Sequence, residues 1–486
     1  MLPDLLTILA LAAFVLIFAG LSEGLVSRAP LSFPILFLGF GYWLGSHGVI
    51  PTDPRSPVLS AVATVTLALV LFLDAVRLKF DRAPSEWLVP SLVLGPGTLL
   101  TVALVATAAH FLLGAGLLTS VLLGAILSST DPVVLRDIVR DKRIPSAIRQ
   151  GLTTEAATND VVVLPIVLIA IAVAKTQATT FGGWALILGK LLILGPAVGF
   201  GIGALGAWLM SKADARFGIR REYQSLYGMG LVFASYTAAV ALGGDGFLAS
   251  FAAGAAIAAL DLELCDCFLE YGDATSEMIM LFAFILFGAV LTTLVGTVPL
   301  GLTLLFAAVT LFVARPAAVA VVLRRAALSP MARGFIAWFG PRGLSSLLLA
   351  LLAVSAGVPG AETVLAFAGV VVTVSVVLHG ITATPLTALY VKAVAERTLA
   401  EERVSTASEM LRSGAIKIDD VPMLDGPELV RRLESPDPPV VLDVRSRSSF
   451  EKDPEGIPGD IRVPPDQVEA WAMKRNRDRP IVAYCT

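Results

Sequence analysis

Asn159 and Asp160 stand side by side in a stretch, 155–171, that is otherwise almost wholly apolar, and Thr130-Asp131-Pro132 stands one apolar segment earlier. An ionisable side chain in hydrocarbon is costly, so it faces a partner or a water-filled pathway. Two carboxylates near the middle of successive spans can hold a proton and a metal cation in turn, and exchange of one for the other requires no more than that. A sodium ion wants several oxygen ligands. Asp160, Asp131, the Thr130 hydroxyl or carbonyl and a water supply them. Glu155 and Asn159 are four residues apart and share a helix face, with Asp160 about 100° further round. Asp160 is set among valines, where proton and cation compete for one carboxylate.

The run Ser128-Ser129-Thr130-Asp131-Pro132 interrupts its apolar segment midway. Proline removes a backbone donor and disfavours helix at the residue before it. The expected result is a helix broken near the midplane, exposing carbonyls and a hydroxyl; the alternative is a simple kink with Asp131 bonded to nearby backbone. Irregular backbone at that depth must be buried in protein or line a cavity, and discontinuous helices build the ion sites of secondary transporters. Phe339-Gly340-Pro341-Arg342-Gly343 leads into another apolar helix. Glu155 is the expected partner of Arg342, with Asn159 bridging, which leaves Asp160 as the working carboxylate. The alternative is an Arg342 that snorkels to an interface. Asp74, near the end of a third apolar run, reads equally as an entry carboxylate or as an interfacial acid beside Arg77. Cys265-Asp266-Cys267 has no nearby histidine and reads as two loop thiols. His47, His110 and His379 are too scattered in sequence for a histidine metal site.

The elements that must position these groups are membrane helices. The chain of 486 residues is 56% hydrophobic and 15% charged, which excludes a large soluble core. No nucleic-acid partner and no cofactor are expected. Apolar runs long enough to cross a bilayer recur, and we read about thirteen of them: 4–26, 32–50, 57–78, 87–113, 117–139, 146–174, 182–210, 222–242, 246–262, 274–295, 297–324, 332–356 and 361–392. The fold class is therefore an all-α polytopic membrane protein. Alternate loops collect Arg and Lys, among them Arg77, Arg140, Arg149, Arg216, Arg324 and Lys392. Under the positive-inside rule they are cytoplasmic, which puts the N-terminus outside and the C-terminal tail inside. The acidic loop between Asp261 and Glu277 is the exception. Met-Leu-Pro-Asp at the start lacks the positive region of a cleaved signal peptide, so the first span is expected to be retained.

Thr130-Asp131-Pro132, Glu155 with Asn159-Asp160, Gly246-Phe247-Leu248-Ala249 after a glycine turn, and Phe339-Gly340-Pro341-Arg342-Gly343 occur in this order over residues 5–395. The combination resembles the monovalent cation/proton antiporters, and most of all their electroneutral sodium/proton exchanger branch, which has Asn-Asp where the electrogenic branch has Asp-Asp. The resemblance implies inverted repeats, broken crossing helices, a mobile core working by elevator-type alternating access, and a homodimer in a bacterial inner membrane. It implies Asp160 as the ion- and proton-binding acid, Thr130 and Asp131 beside it at the broken helix, and Glu155, Asn159 and Arg342 as a supporting network. Ala156 departs from the serine that branch often carries, which leaves the choice among sodium, lithium and potassium open.

After about Glu396 the composition changes and long apolar runs stop. The expected division is a transmembrane domain over 1–396, a linker over 397–420 and a cytoplasmic segment over 421–486. Val440 to Val444 and Ile481 to Tyr484 read as short strands. Leu442-Asp443-Val444-Arg445, Glu455-Gly456-Ile457-Pro458-Gly459 and Ile481 to Cys485 resemble part of a rhodanese-like α/β domain. Thr486 follows Cys485 directly, so the loop that would cradle a sulfur group is not in this sequence. The segment is expected to be neither well folded nor catalytic, and Cys485 to be no competent site. The reading that results is a sodium/proton antiporter rather than an enzyme, its substrates a monovalent cation and a proton. The rivals are a potassium/proton antiporter of the same fold, and a membrane-tethered sulfur or redox sensor with vestigial transport.

Overall fold

The computed structural model describes residues 5–26, 32–78, 84–131, 135–141, 143–175, 180–260, 266–326, 328–397, 424–435, 438–473 and 479–484. Helix limits follow the proline and glycine punctuation. α1 (Leu5–Val26) and α2 (Phe33–Ser46) lead to α3 (Pro57–Val76), which Ser56 and Pro57 open. α4 (Pro84–Leu92) passes through a π-turn, Val93–Gly97, into α5 (Thr98–Leu113). α6 (Leu117–Ile126) stops before the Ser128 to Asp131 run, and the chain resumes as α7 (Arg136–Arg140). α8 (Ser146–Ala174) carries Glu155, Asn159 and Asp160.

α9 (Phe181–Gly189) and α10 (Gly195–Phe217) are joined by a second π-turn, Lys190–Leu194. α11 (Arg221–Ala241), α12 (Gly246–Ala259) and α13 (Asp266–Leu294) follow. A third π-turn, Thr310–Ala314, joins α14 (Leu300–Val309) to α15 (Arg315–Val322). α16 (Pro330–Trp338) and α17 (Leu344–Ser355) are the halves of a second broken helix, and α18 (Ala361–Glu396) closes the bundle. Each of the thirteen expected stretches thus contains helix. Among the described residues, seven helical stretches are long and apolar enough to cross a membrane, and shorter apolar helices accompany them.

The helices pack in two groups. α1, α2, α3, α10, α11, α12 and α13 form one; α4 to α8 and α14 to α18 form the other. α3 and α13 meet α8, α17 and α18 along the seam. Small residues set the closest approaches. Gly199 and Gly203, one turn apart on α10, lie directly over the Ala249 and Ala253 backbone of α12, where any Cβ would overlap a carbonyl. Close approach through small residues is how helices associate when lipid is as apolar as their own side chains.

Beyond α18 the described residues form α19 (Gly426–Leu433), β1 (Val440–Asp443), α20 (Arg447–Lys452), β2 (Ile461–Arg462), α21 (Val468–Met473) and β3 (Ile481–Tyr484). The strands make a parallel sheet in the order β2-β1-β3, with Val441 opposite Val482. Both expected strands are present. Within the sheet Val441 and Leu442 are buried, and Asp443 is held by Arg445 at 2.8 Å. Cys485 and Cys265 lie outside the described residues, as do Pro132 and all but the first residue of the expected linker.

The α10–α12 contact makes a prediction. Gly203→Leu should lose about 1–3 kcal/mol of stability by overpacking, read from reversible unfolding in mixed micelles. Wild-type stability would mean that the two backbones do not meet there.

Candidate functional site

The two broken helices cross at their breaks. The Asp131 N–H donates to the Pro341 carbonyl at 2.9 Å. The Leu344 N–H, the first of α17, donates to Asp131 Oδ2 at 2.6 Å. Arg342 reaches the other way, its Nη1 donating to the carbonyls of Ser128 at 3.1 Å and Ser129 at 3.2 Å. The end of α6 and the start of α17 therefore each meet a charge of the sign that the helix dipole favours. Gly343 is required by this contact, because a Cβ there would fall on the Asp131 carboxylate. Of the two readings for Asp131, a broken helix or a kink satisfied by nearby backbone, the structure has the break, and the backbone that satisfies Asp131 comes from the other helix.

Glu155 does not pair with Arg342, contrary to the expectation from sequence. It pairs with Arg315, which grips it with both guanidinium nitrogens, Nη2 to Oε2 at 3.0 Å. Arg315 Nη2 also donates to the Ile336 and Phe339 carbonyls at 3.2 and 3.3 Å, closing the C-terminal end of α16. Arg315 is 4% exposed and Glu155 2%. The pairing differs because Arg342 is fully buried and committed to the carbonyls at the α6 break, while the π-turn before α15 delivers Arg315 to α8. Snorkelling is likewise excluded for Arg342. Asn159 bridges neither arginine; its Nδ2 donates to Thr98 Oγ1 at 3.2 Å. Thr98 also follows a π-turn directly, and such turns recur at functional sites.

Asp160 is 6% exposed and accepts a hydrogen bond from Ser129 Oγ at 2.5 Å, with the Ser345 hydroxyl close by. Nearby in sequence, Thr130 Oγ1 and Asn159 Oδ1 are buried with no hydrogen-bond partner among the described residues. Buried oxygens are rarely left so, and a small cation is one group that satisfies them. Ser345 also lines a cavity of about 400 Å³ that includes Asp74, Arg77, Asp131, Ala156 and Asp273. Asp74 is 7% exposed and lies 3.6 Å from Arg77, so it is at once a cavity acid and the neighbour of an arginine. Arg77 pairs with Asp273 as well, which places part of the anomalous acidic segment at this mouth.

Sequence reasoning missed Arg315, Thr98, Ser129 and Ser345. Arg315 had a signal, a lone cation inside an apolar run; the serine and threonine hydroxyls had none. The buried pair can be tested by a double-mutant cycle. Glu155→Ala or Arg315→Ala should each cost about 3–5 kcal/mol by stranding a charge, and replacing both with leucine should recover part of the loss. Single losses that simply add would show that the two side chains are not partners.

Residues 11–389 match the family described as "Sodium/hydrogen exchanger, transmembrane". The chain is 27% identical over 384 residues to the K(+)/H(+) antiporter NhaP of Alkalimonas amylolytica, covering 78% of this chain and 66% of that one. It is 28% identical over 369 residues to the K(+)/H(+) antiporter NhaP2 of Shewanella baltica (strain OS223), covering 73% and 62%. It thus spans just under two thirds of the curated relatives it matches. Among solved structures it is similar to the sodium proton antiporter MjNhaP1 from Methanocaldococcus jannaschii, with a TM-score of 0.66 and 19% identity over 80% of this chain and 100% of that one. That likeness concerns the fold.

Proposed function

The chain belongs to the sodium/hydrogen exchanger family, and from that premise we propose that it exchanges a monovalent cation for a proton across a bilayer. The observation that carries the reading is Asp160, a buried carboxylate hydrogen-bonded to Ser129 beside a cavity that Ser345 lines, with the orphan oxygens Thr130 Oγ1 and Asn159 Oδ1 on the same two chain segments. A proton leaves Asp160 and a cation takes its place, completed by neutral oxygens. The hydroxyls of Ser129 and Ser345 make up for the absence of one at Ala156. Asp131 and Arg342 hold the crossing; Glu155 and Arg315 neutralise each other, so one carboxylate titrates per cycle and exchange is electroneutral. Asp74 serves as the entry acid.

Alternating access follows from the same chemistry. A bare Asp160 carboxylate is costly in hydrocarbon, so the site crosses only when it holds a proton or a cation. The two helix groups slide past each other along the α3 and α13 seam in an elevator-type motion. Thirteen spans, an outer N-terminus, a cytoplasmic tail of partly rhodanese-like form over 421–486, and a homodimer complete the proposal. Sodium is the proposed cargo, on the Asn159-Asp160 pair. Potassium is the second reading, favoured by the names that the two relatives carry.

Proton flux in proteoliposomes, driven in turn by sodium, lithium and potassium, tests the reading and separates the two cargoes. Asp160→Asn should abolish exchange in a protein that still folds; near wild-type exchange would overturn the assignment. Clamping the membrane potential should leave the rate unchanged, in an assay where the clamping ion is shown not to be cargo. A voltage-dependent rate would mean that a second charge moves. Ser129→Ala should raise the KM for the cation about tenfold, the loss of one buried hydrogen bond to a charged group. An unchanged KM would remove Ser129 from the site.

A further inference from the structure

Helix α8 begins without a cap of its own. Pro145, at the capping position, offers no side-chain acceptor, and the first N–H groups of a helix have no intrahelical partner. The acceptor comes from the far end of the chain. Asp466, in the turn Pro465–Gln467 before α21, accepts the Ser146 N–H on Oδ2 at 2.7 Å, and its carbonyl accepts the Ser146 hydroxyl at 2.9 Å. Arg447 of α20 holds the same carboxylate from the other side, at 2.7 Å to Oδ1 and 3.2 Å to Oδ2. The Asp466 side chain is 2% exposed and that of Arg447 11%, so this is an enclosed clip rather than a surface contact. Arg149, one turn along α8, lies within electrostatic reach of it. α20 also packs on α18. The C-terminal segment therefore rests on two helices of one packing group.

The placement bears on transport. α8 carries Glu155, Asn159 and Asp160, and its Thr153 and Thr154, with Val139 and Arg140 of α7, line the cavity above the site. The clip thus grips the ion-binding helix at the end where the cavity opens. Asp466 touches no ion ligand; Asp160 is fourteen residues further on, roughly 20 Å at the rise of an α-helix. What it can act on is the placement of the helix as a rigid rod.

We propose that Asp466 is a positioning residue for transport: the docked C-terminal segment holds α8 in the cavity-open arrangement, so that docking and cation occupancy of the site are linked. The inference rests on the exchange reading above. If the clip raises the fraction of molecules competent to bind from that side, losing it weakens the apparent affinity by the same factor. By reciprocity, cation binding must tighten docking. A contact that merely fastens the segment in place has neither property.

The test uses the full chain in vesicles, with sodium and potassium as probes at the cavity side. Asp466→Ala should raise the KM for the transported cation at least threefold with a smaller change in kcat. Asp466→Asn keeps an acceptor for Ser146 but loses the charge that Arg447 holds, and should fall between the alanine variant and wild type. In the wild-type protein, saturating cation should slow backbone hydrogen exchange in the 461–473 peptides. That protection should vanish in Asp466→Ala and in Asp160→Asn. A KM within 1.5-fold of wild type in Asp466→Ala, or tail exchange indifferent to cation, overturns the clip while leaving the exchange reading intact. Wild-type vesicles with no cation-driven proton flux overturn both.

Discussion

A helix that ends inside an apolar bundle leaves backbone groups that no water can satisfy. The arrangement of this protein is governed by that constraint. Two helices break at the same place, and each break is closed by a charge borrowed from elsewhere. Asp131 meets the start of α17, Arg342 the carbonyls at the end of α6, and Arg315 the carbonyls at the end of α16. None of these charges is tolerable alone at such burial. Asp131 and Arg342 sit at the two ends of one crossing, and Arg315 is neutralised by Glu155. Asp160 takes part in neither the crossing nor the Glu155–Arg315 pair and accepts from the Ser129 hydroxyl. In the proposed exchange, that separation is what lets one carboxylate change its partner while the rest of the centre stays as it is.

Much of this was legible in the sequence because it depends on local chemistry. Proline and glycine at 132, 340, 341 and 343 announce the breaks. An acid among valines announces Asp160, and β-branched runs announce β1 and β3. The pairing of Glu155 was not legible. Arg315 and Arg342 are both buried arginines late in the chain, and which one reaches α8 depends on how two broken helices cross, not on any spacing within one of them. The alternative favoured from sequence failed because Arg342 has a prior claim, the carbonyls of Ser128 and Ser129. Ser345 and Ser129 were illegible for a different reason: a buried hydroxyl normally bonds back to nearby backbone, and nothing in the chain distinguishes the few that do not.

Distance along the chain hides the remaining contacts. The Arg77 contacts with Asp74 and Asp273 link neighbours in sequence with residues far away, and they bring Asp273 of α13 to the mouth of the cavity. Arg77 and Arg140, far apart in sequence, line one cavity. Ser146 and Asp466 are separated by 320 residues, and a serine at the start of a helix ordinarily needs no such partner. Only the fold brings it one.

The π-turns before Thr98 and Arg315 carry a consequence for how this chain tolerates change in length. Each is one residue wider than the α-helical turn it replaces. Removing a single residue from Val93–Gly97 or Thr310–Ala314 would let the turn close to ordinary α-helical pitch, and the helix beyond would keep nearly its present rotation. The wide turn is thus the place in each helix where one residue can be lost without turning Thr98 from Asn159 or Arg315 from Glu155. A deletion elsewhere in the same helix turns everything beyond it by about 100° and breaks the contact. Where homologous chains differ by one residue in these helices, the gap should fall at the wide turn.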